Sequence, residues 1–316
     1  MSKILVTATN YSIQCMKAKE LLQQHGYEII ENTFGRPLTF TEIKDVIQDI
    51  DGVIAGVDTW DENVFKIAPK LKIISRFGVG VDNIDLVKAK QYGITVTNAR
   101  GSTNAVAELT IGLMLSVLRN IPRLDSSTRK GCWERFVGCE LSTQKVGLIG
   151  FGNIAQSVAR KLKSFDVEIY AYDKYPDENK AKELDVKLVA FEQVLSECDI
   201  VSLHLPSFKE TYHIIDEKVL NVMKDGAYLI NTARGAIVDE KALYNALKSS
   251  KLTAAGLDVY EKEPVDMQNP LLQLKNVVLT PHTAAETSET IDKVSMITAK
   301  AIIDYFNGKI PENILN

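Results

Sequence analysis

The sequence has no excess of positive charge. Its 37 Lys and Arg are outnumbered by 41 Asp and Glu, giving a net charge of −4 and a pI near 5.7. No basic stripe is left for a phosphate backbone, so nucleic acid is not expected as a partner. Paired cysteines are missing too: Cys15, Cys132, Cys139 and Cys198 stand apart without a CxxC. That pattern fits neither a thiolate metal site nor a disulfide framework, and reads as reduced thiols of a cytoplasmic protein. His25, His204, His213 and His282 likewise lack metal-ligand spacing, and no metal is expected. No apolar run is long enough to span a bilayer, and the opening KILVTA is too short for the core of a signal peptide. Neither a membrane partner nor secretion is expected; small molecules remain as the partners.

What is present is alternation. The 316 residues, 45% of them hydrophobic, suffice for two cored domains. KILVTA (3–8), YEII (27–30), GVIAG (52–56), KIISRFG (72–78) and ITVTN (94–98) read as strands separated by helical patterns. A long apolar helix is predicted over 104–124 and, being apolar almost all round, is expected at an interdomain or subunit face. A second series then begins: KVGLIG (145–150), EIYAYD (168–173), VKLVA (186–190), DIVSLHL (199–205), AYLINTA (227–233), TAAGLDV (253–259) and NVVLTPH (276–282). Near-continuous apolar strands suit parallel sheets covered on both faces, so the expected class is α/β with two doubly wound domains. A last helical pattern, 290–308, could pack back on the first domain.

The stretch GLIGFGNIAQSVARKL (147–162) carries a phosphate cradle between a strand and a helix. Gly150 makes the tight turn, Gly152 admits a pyrophosphate, and Asn153 and Ile154 open the helix whose free N–H groups face it. Ala155 takes the third position, where close helix packing tolerates a methyl group. Twenty-one residues after Gly152, Asp173 ends the next strand and can bind the ribose hydroxyls while repelling a 2′-phosphate, so NAD is the expected cofactor.

Three more residues follow strands of the same predicted sheet: Arg234 in NTARGAIVDE, Glu263 in DVYEKEP and His282 in LTPHTAAE. A histidine can carry a proton near neutral pH, an arginine offers a fork for a carboxylate, and a glutamate can fix the imidazole. Together they form a kit for moving a hydride to or from the carbon beside a carboxylate. Glu261 rivals Glu263 for the third role.

RFGVGVDNIDL, NAVAELTIGLML, GLIGFGNIA, NTARGAIVDEKAL, AGLDVYEKEP and LTPHTAAET, in this order, resemble the D-isomer-specific 2-hydroxyacid dehydrogenase family over essentially the whole chain. The resemblance implies a flavodoxin-like substrate domain split between 1–98 and 285–316, a Rossmann NAD domain over 99–284, and a homodimer. It makes Arg234 the substrate clamp, His282 the acid/base and Glu263 its partner. The substrate carboxylate would meet the backbone at Val79 and Gly80, and His204, Pro206, Thr232 and Asp258 would join the cofactor contacts. Within the family the chain looks most like the phosphoglycerate dehydrogenases of serine biosynthesis, in forms without a carboxyl-terminal regulatory domain. Arg76 and, from the partner subunit, Arg135 then fall at phosphate-binding positions, whereas Gly56 stands where an arginine is usual. Two alternatives go with this resemblance: a reductase of glyoxylate, hydroxypyruvate or another 2-oxo acid, and, more remotely, an NAD-sensing corepressor-like protein.

Overall fold

The computed structural model describes residues 2–9 and 11–316. The chain divides into two compact units, Met1–Ser102 with Glu286–Asn316, and Thr103–Ala285. The division falls after Ser102 rather than after Asn98, because the second unit begins with the buried helix Thr103–Arg119.

In the first unit, β1 (Lys3–Val6), β2 (Glu28–Glu31), β3 (Gly52–Ala55), β4 (Ile73–Arg76) and β5 (Thr95–Asn98) form a parallel sheet in the order β2-β1-β3-β4-β5. This is the doubly wound flavodoxin order. Trp60, Ile43, Ile47 and Phe65 pack on one face. On the other, the helices Met16–Gln24 and Ser288–Phe306 bring Leu22, Ala299 and Ile302 onto Ile4, Val6 and Ile73.

In the second unit, β6 (Lys145–Ile149), β7 (Glu168–Tyr172), β8 (Val186–Leu188), β9 (Ile200–Leu203), β10 (Ala227–Asn231), β11 (Leu252–Leu257) and β12 (Val277–Leu279) run parallel in the order β12-β11-β10-β9-β6-β7-β8. Counted within the unit this is the Rossmann order with a further edge strand, and its switch point lies between β6 and β9. Ligands of such sheets collect beyond the carboxyl ends of the strands at that point.

The helix expected over 104–124 is two helices. Asn120, with φ of 54°, breaks it, and Ile121–Arg129 starts anew with Pro122 in its first turn. Continuing the first helix through Pro122 would remove a hydrogen bond and drive the ring into the preceding turn. Thr103–Arg119 packs on β10, β11 and the helix Asn153–Leu162, burying Ala107, Ile111, Leu113, Met114, Val117 and Leu118 within its own unit, while Leu109 and Leu115 are only partly buried. Ile121–Arg129 buries nothing. Among the described residues, no single helix is long and apolar enough to cross a membrane, and no group of His, Cys, Asp and Glu is placed to hold a metal ion.

Candidate active site

The site starts where β6 gives way to its helix. Gly150 has φ of 93°, and a Cβ there would lie 2.6 Å from the carbonyl oxygen of His204, which follows β9. Glycine is required on both counts. Gly152 differs, because a Cβ would meet nothing within 4 Å. It is also the N-cap of the helix Asn153–Leu162 and supplies no side-chain cap. The first-turn N–H groups, including those of Asn153 and Ile154, are therefore left for an anion from outside. Ala155 is fully buried beneath this turn, its methyl group accommodated in the core.

Asp173 follows β7 and closes the arrangement. One carboxylate oxygen accepts the N–H of Phe151 at 2.7 Å, the other that of Tyr175 at 2.8 Å. It braces the glycine turn while keeping lone pairs for ribose hydroxyls. A bare glycine, an uncapped helix start and an acid at the next strand end fit a dinucleotide without a 2′-phosphate.

His204 lines the same turn, with Nε2 3.0 Å from the Ser202 hydroxyl. Desolvation pushes its imidazole down from 6.5 to about 4. Between those values an unfolded chain takes up a proton that the fold refuses, so stability falls as pH drops from 6.5 towards 4 and is unaffected above 6.5. The loss should approach roughly 3 kcal/mol. Urea unfolding of His204→Asn against the wild type across this window should show that part of the slope gone; parallel slopes would contradict it. Pro206 is exposed beyond His204, its carbonyl accepting the Thr211 hydroxyl. Thr232 is buried, 2.8 Å from the Thr110 hydroxyl. Since Thr110 donates to the Val106 carbonyl, Thr232 donates to Thr110.

The ends of β10, β11 and β12 bring together the other three candidates. At the end of β10, the buried Asn231 clasps the turn that follows: Nδ2 donates to the Arg234 carbonyl at 2.9 Å and Oδ1 accepts the Ala233 N–H at 3.0 Å. Arg234 is half-buried and its guanidinium also donates to the Ala233 carbonyl. After β11, Glu263 accepts the Tyr260 N–H at 3.0 Å through Oε1 and meets His282 Nδ1 at 2.6 Å through Oε2. Burial alone would raise the Glu263 carboxyl, but the hydrogen bond and charge of His282, the Tyr260 N–H and the Arg234 charge hold it below its ordinary range. An ionised carboxylate only accepts, so the His282 proton sits on Nδ1 and Nε2 remains for substrate. Glu261 is not part of this pair; it lies 3.1 Å from His213 Nε2.

His282 adopts φ of 51°, costly for a side chain with a Cβ. What holds it there is Asp258, which the family resemblance places only among the cofactor contacts. Its carbonyl accepts the His282 N–H at 2.7 Å, and its fully buried carboxylate accepts the Thr280 hydroxyl and the N–H groups of Thr283 and Ala284 at 2.6, 2.9 and 3.0 Å. The Tyr260 hydroxyl adds a bond to the Thr280 carbonyl.

Nothing in the sequence marks Gly235, yet a Cβ on it would lie 1.9 Å from the backbone of Tyr260 and 2.5 Å from the Glu261 nitrogen. It lets the Arg234 turn press on the turn that carries Glu263. Gly235→Ala should cost on the order of 3 kcal/mol, because backbone cannot yield as a side chain does. Thermal and urea melts check it; a loss under about 0.5 kcal/mol, the range of neutral surface changes, would contradict it.

In the first unit, Arg76 ends β4 and lies along the glycine loop, where a Gly78 Cβ would be 3.0 Å from its guanidinium; it donates to the Phe77 carbonyl. Val79 is exposed, Gly80 half-buried, and the Val79 carbonyl accepts Asn98 Nδ2 at 2.8 Å. Near Arg76 is the buried Asp58, whose carboxyl is pushed up by burial despite Thr7, the Leu38 N–H and the Arg76 charge. A Cβ on Gly56 would stand 3.1 Å from the Thr7 carbonyl oxygen and 3.2 Å from Asp58, so a long side chain there needs both to yield. Arg135 belongs to the second unit, on an exposed stretch with Trp133 and Val137.

Residues 111–284 match the family model for the NAD binding domain of D-isomer specific 2-hydroxyacid dehydrogenase. A D-3-phosphoglycerate dehydrogenase of Archaeoglobus fulgidus is 46% identical over 259 residues, 81% of this chain, which spans only 49% of that relative's length. A glyoxylate reductase of Korarchaeum cryptofilum is 40% identical over 278 residues, 85% of this chain and 84% of its own length. The solved structure of a D-lactate dehydrogenase from Aquifex aeolicus, complexed with NAD and lactic acid, superposes with a TM-score of 0.87 at 29% identity, covering 99% of each chain. The chain belongs to the D-isomer-specific 2-hydroxyacid dehydrogenase family, with the family's NAD-binding domain in its second unit.

Proposed function

We propose that this protein interconverts a D-2-hydroxy acid and its 2-oxo acid with NAD. The observation that carries the reading is the 2.6 Å contact of Glu263 with His282, with the Arg234 charge acting on the same carboxylate. The turn of Gly150 and Gly152, with Asn153, Ile154 and Asp173, would hold NAD, which when bound takes or gives the hydride. In oxidation, His282 Nε2 takes the hydroxyl proton; in reduction it returns that proton to the oxygen. Arg234 holds the substrate carboxylate and steadies the charge on the oxo oxygen.

We assign 3-phosphoglycerate as the substrate, on the likeness of the Arg76 and Arg135 segments to phosphate-binding positions. Gly56 favours a second reading: with no arginine there and Thr7 and Asp58 crowding the position, a phosphate has one cation fewer to hold it, which suits an acid without a phosphate such as hydroxypyruvate or glyoxylate. The test is NADH oxidation with phosphohydroxypyruvate and hydroxypyruvate side by side. A kcat/KM at least about tenfold higher for the phosphorylated acid, roughly 1.4 kcal/mol, supports the first reading; a preference for hydroxypyruvate overturns it in favour of the second. A homodimer is part of the proposal: Trp133 and Val137 are 87% and 100% exposed beside Arg135, an apolar surface that a second copy would cover.

A further inference from the structure

Behind the pair of Glu263 and His282 lies a second group of ionisable residues that the reaction does not use. Glu240 and Glu261 exchange hydrogen bonds reciprocally. The Glu240 N–H donates to Glu261 Oε1 and the Glu261 N–H donates to Glu240 Oε1, both at 2.8 Å. Asn269 Nδ2 donates to the other Glu240 oxygen at 2.6 Å, and His213 Nε2 lies 3.1 Å from Glu261 Oε1. His213 is itself fixed, stacked on Tyr212 at 4.0 Å and bonded through its N–H to the Ala236 carbonyl.

These contacts tie two segments that both carry site residues. Glu240 opens the helix Glu240–Lys248, directly after the Arg234 turn, while Glu261 lies two residues before Glu263. The helix does not need the Glu240 carboxylate to begin, because Asp239 already caps it through the Ala242 N–H at 2.9 Å. Gly235 presses on the Tyr260 and Glu261 backbone from the same side. The turn from Tyr260 to Glu263 is thus held at both ends: Glu261 faces the helix, and Glu263 faces His282.

We propose that Glu240 and Glu261 are positioning residues, a two-carboxylate clasp that sets where the Glu263 carboxylate stands against His282. The proposal rests on the reading of Glu263 and His282 as the acid/base pair. A small displacement of that carboxylate is enough to matter, since misplacement by about 1 Å can cost on the order of a hundredfold in rate.

The test compares Glu240→Ala, Glu261→Ala, Glu240→Gln and Glu263→Gln in kcat, KM and the pH dependence of kcat/KM, with NAD affinity by fluorescence. Glu240→Ala should lower kcat about tenfold or more, leave NAD affinity within about threefold, and move the pH profile in the same direction as Glu263→Gln. Glu240→Gln keeps an acceptor for the Glu261 N–H but loses the one for Asn269 Nδ2, and should recover part of the rate. If Glu263→Gln shifts kcat and the pH profile while Glu240→Ala and Glu261→Ala do not, the clasp is overturned. If Glu263→Gln itself changes neither, the underlying reading fails instead. Should Glu240→Ala not fold, Glu261→Ala, which keeps every hydrogen bond donated to Glu240, decides by the same criteria.

Discussion

Replacing His282 by asparagine is expected to lower kcat by about a hundred- to ten-thousandfold while NAD binding stays within about threefold. Asparagine is the informative replacement because it tolerates the left-handed conformation that His282 adopts at φ of 51°. The turn held by Asp258 should survive, so the variant removes the proton carrier and little else. Alanine would confound the loss of the imidazole with strain in the turn. Stopped-flow turnover beside NAD titration separates the two quantities. A kcat within about fivefold of the wild type would remove His282 from the chemistry.

Arg234→Ala is expected to reduce kcat/KM by roughly a thousandfold, about 4 kcal/mol of transition-state stabilisation, with KM for the oxo acid rising as well. Arg234→Lys should restore only part, because an ammonium lacks the planar fork that matches a carboxylate. A second effect follows from charge. Arg234 helps hold the Glu263 carboxyl low, so without it that carboxyl rises and the acid limb of the pH profile moves to higher pH. Unchanged kcat/KM in Arg234→Ala, or an acid limb moving to lower pH, would contradict the role.

The parallel sheets were legible because each strand is a short apolar run ended by a turn, and the dinucleotide turn because Gly150 and Gly152 sit between such a run and a helix. The break at Asn120 was not: apolar spacing continues through Ile121 and Leu124, and proline is tolerated in a first helical turn, so Pro122 alone did not mark it. The choice between Glu261 and Glu263 was open for a related reason. Both lie in a turn with no periodicity, and only the packing of that turn against Gly235 and Glu240 sends one to the helix and the other to His282. Asp258 shows a third kind of gap. Its grip on His282 depends on β12 pairing with β11 in a register that sets Leu257 beside Leu279, a contact between distant stretches of sequence.

Hydride transfer at a carbon beside a carboxylate, run by His282, Glu263 and Arg234 as we propose, is stereospecific. The most direct measurement is NADH formation from NAD with the separate D and L forms of glycerate and of 3-phosphoglycerate. NADH is expected from a D form and none from its L counterpart. Equal use of both forms, or reduction of NAD by the L form alone, would contradict it.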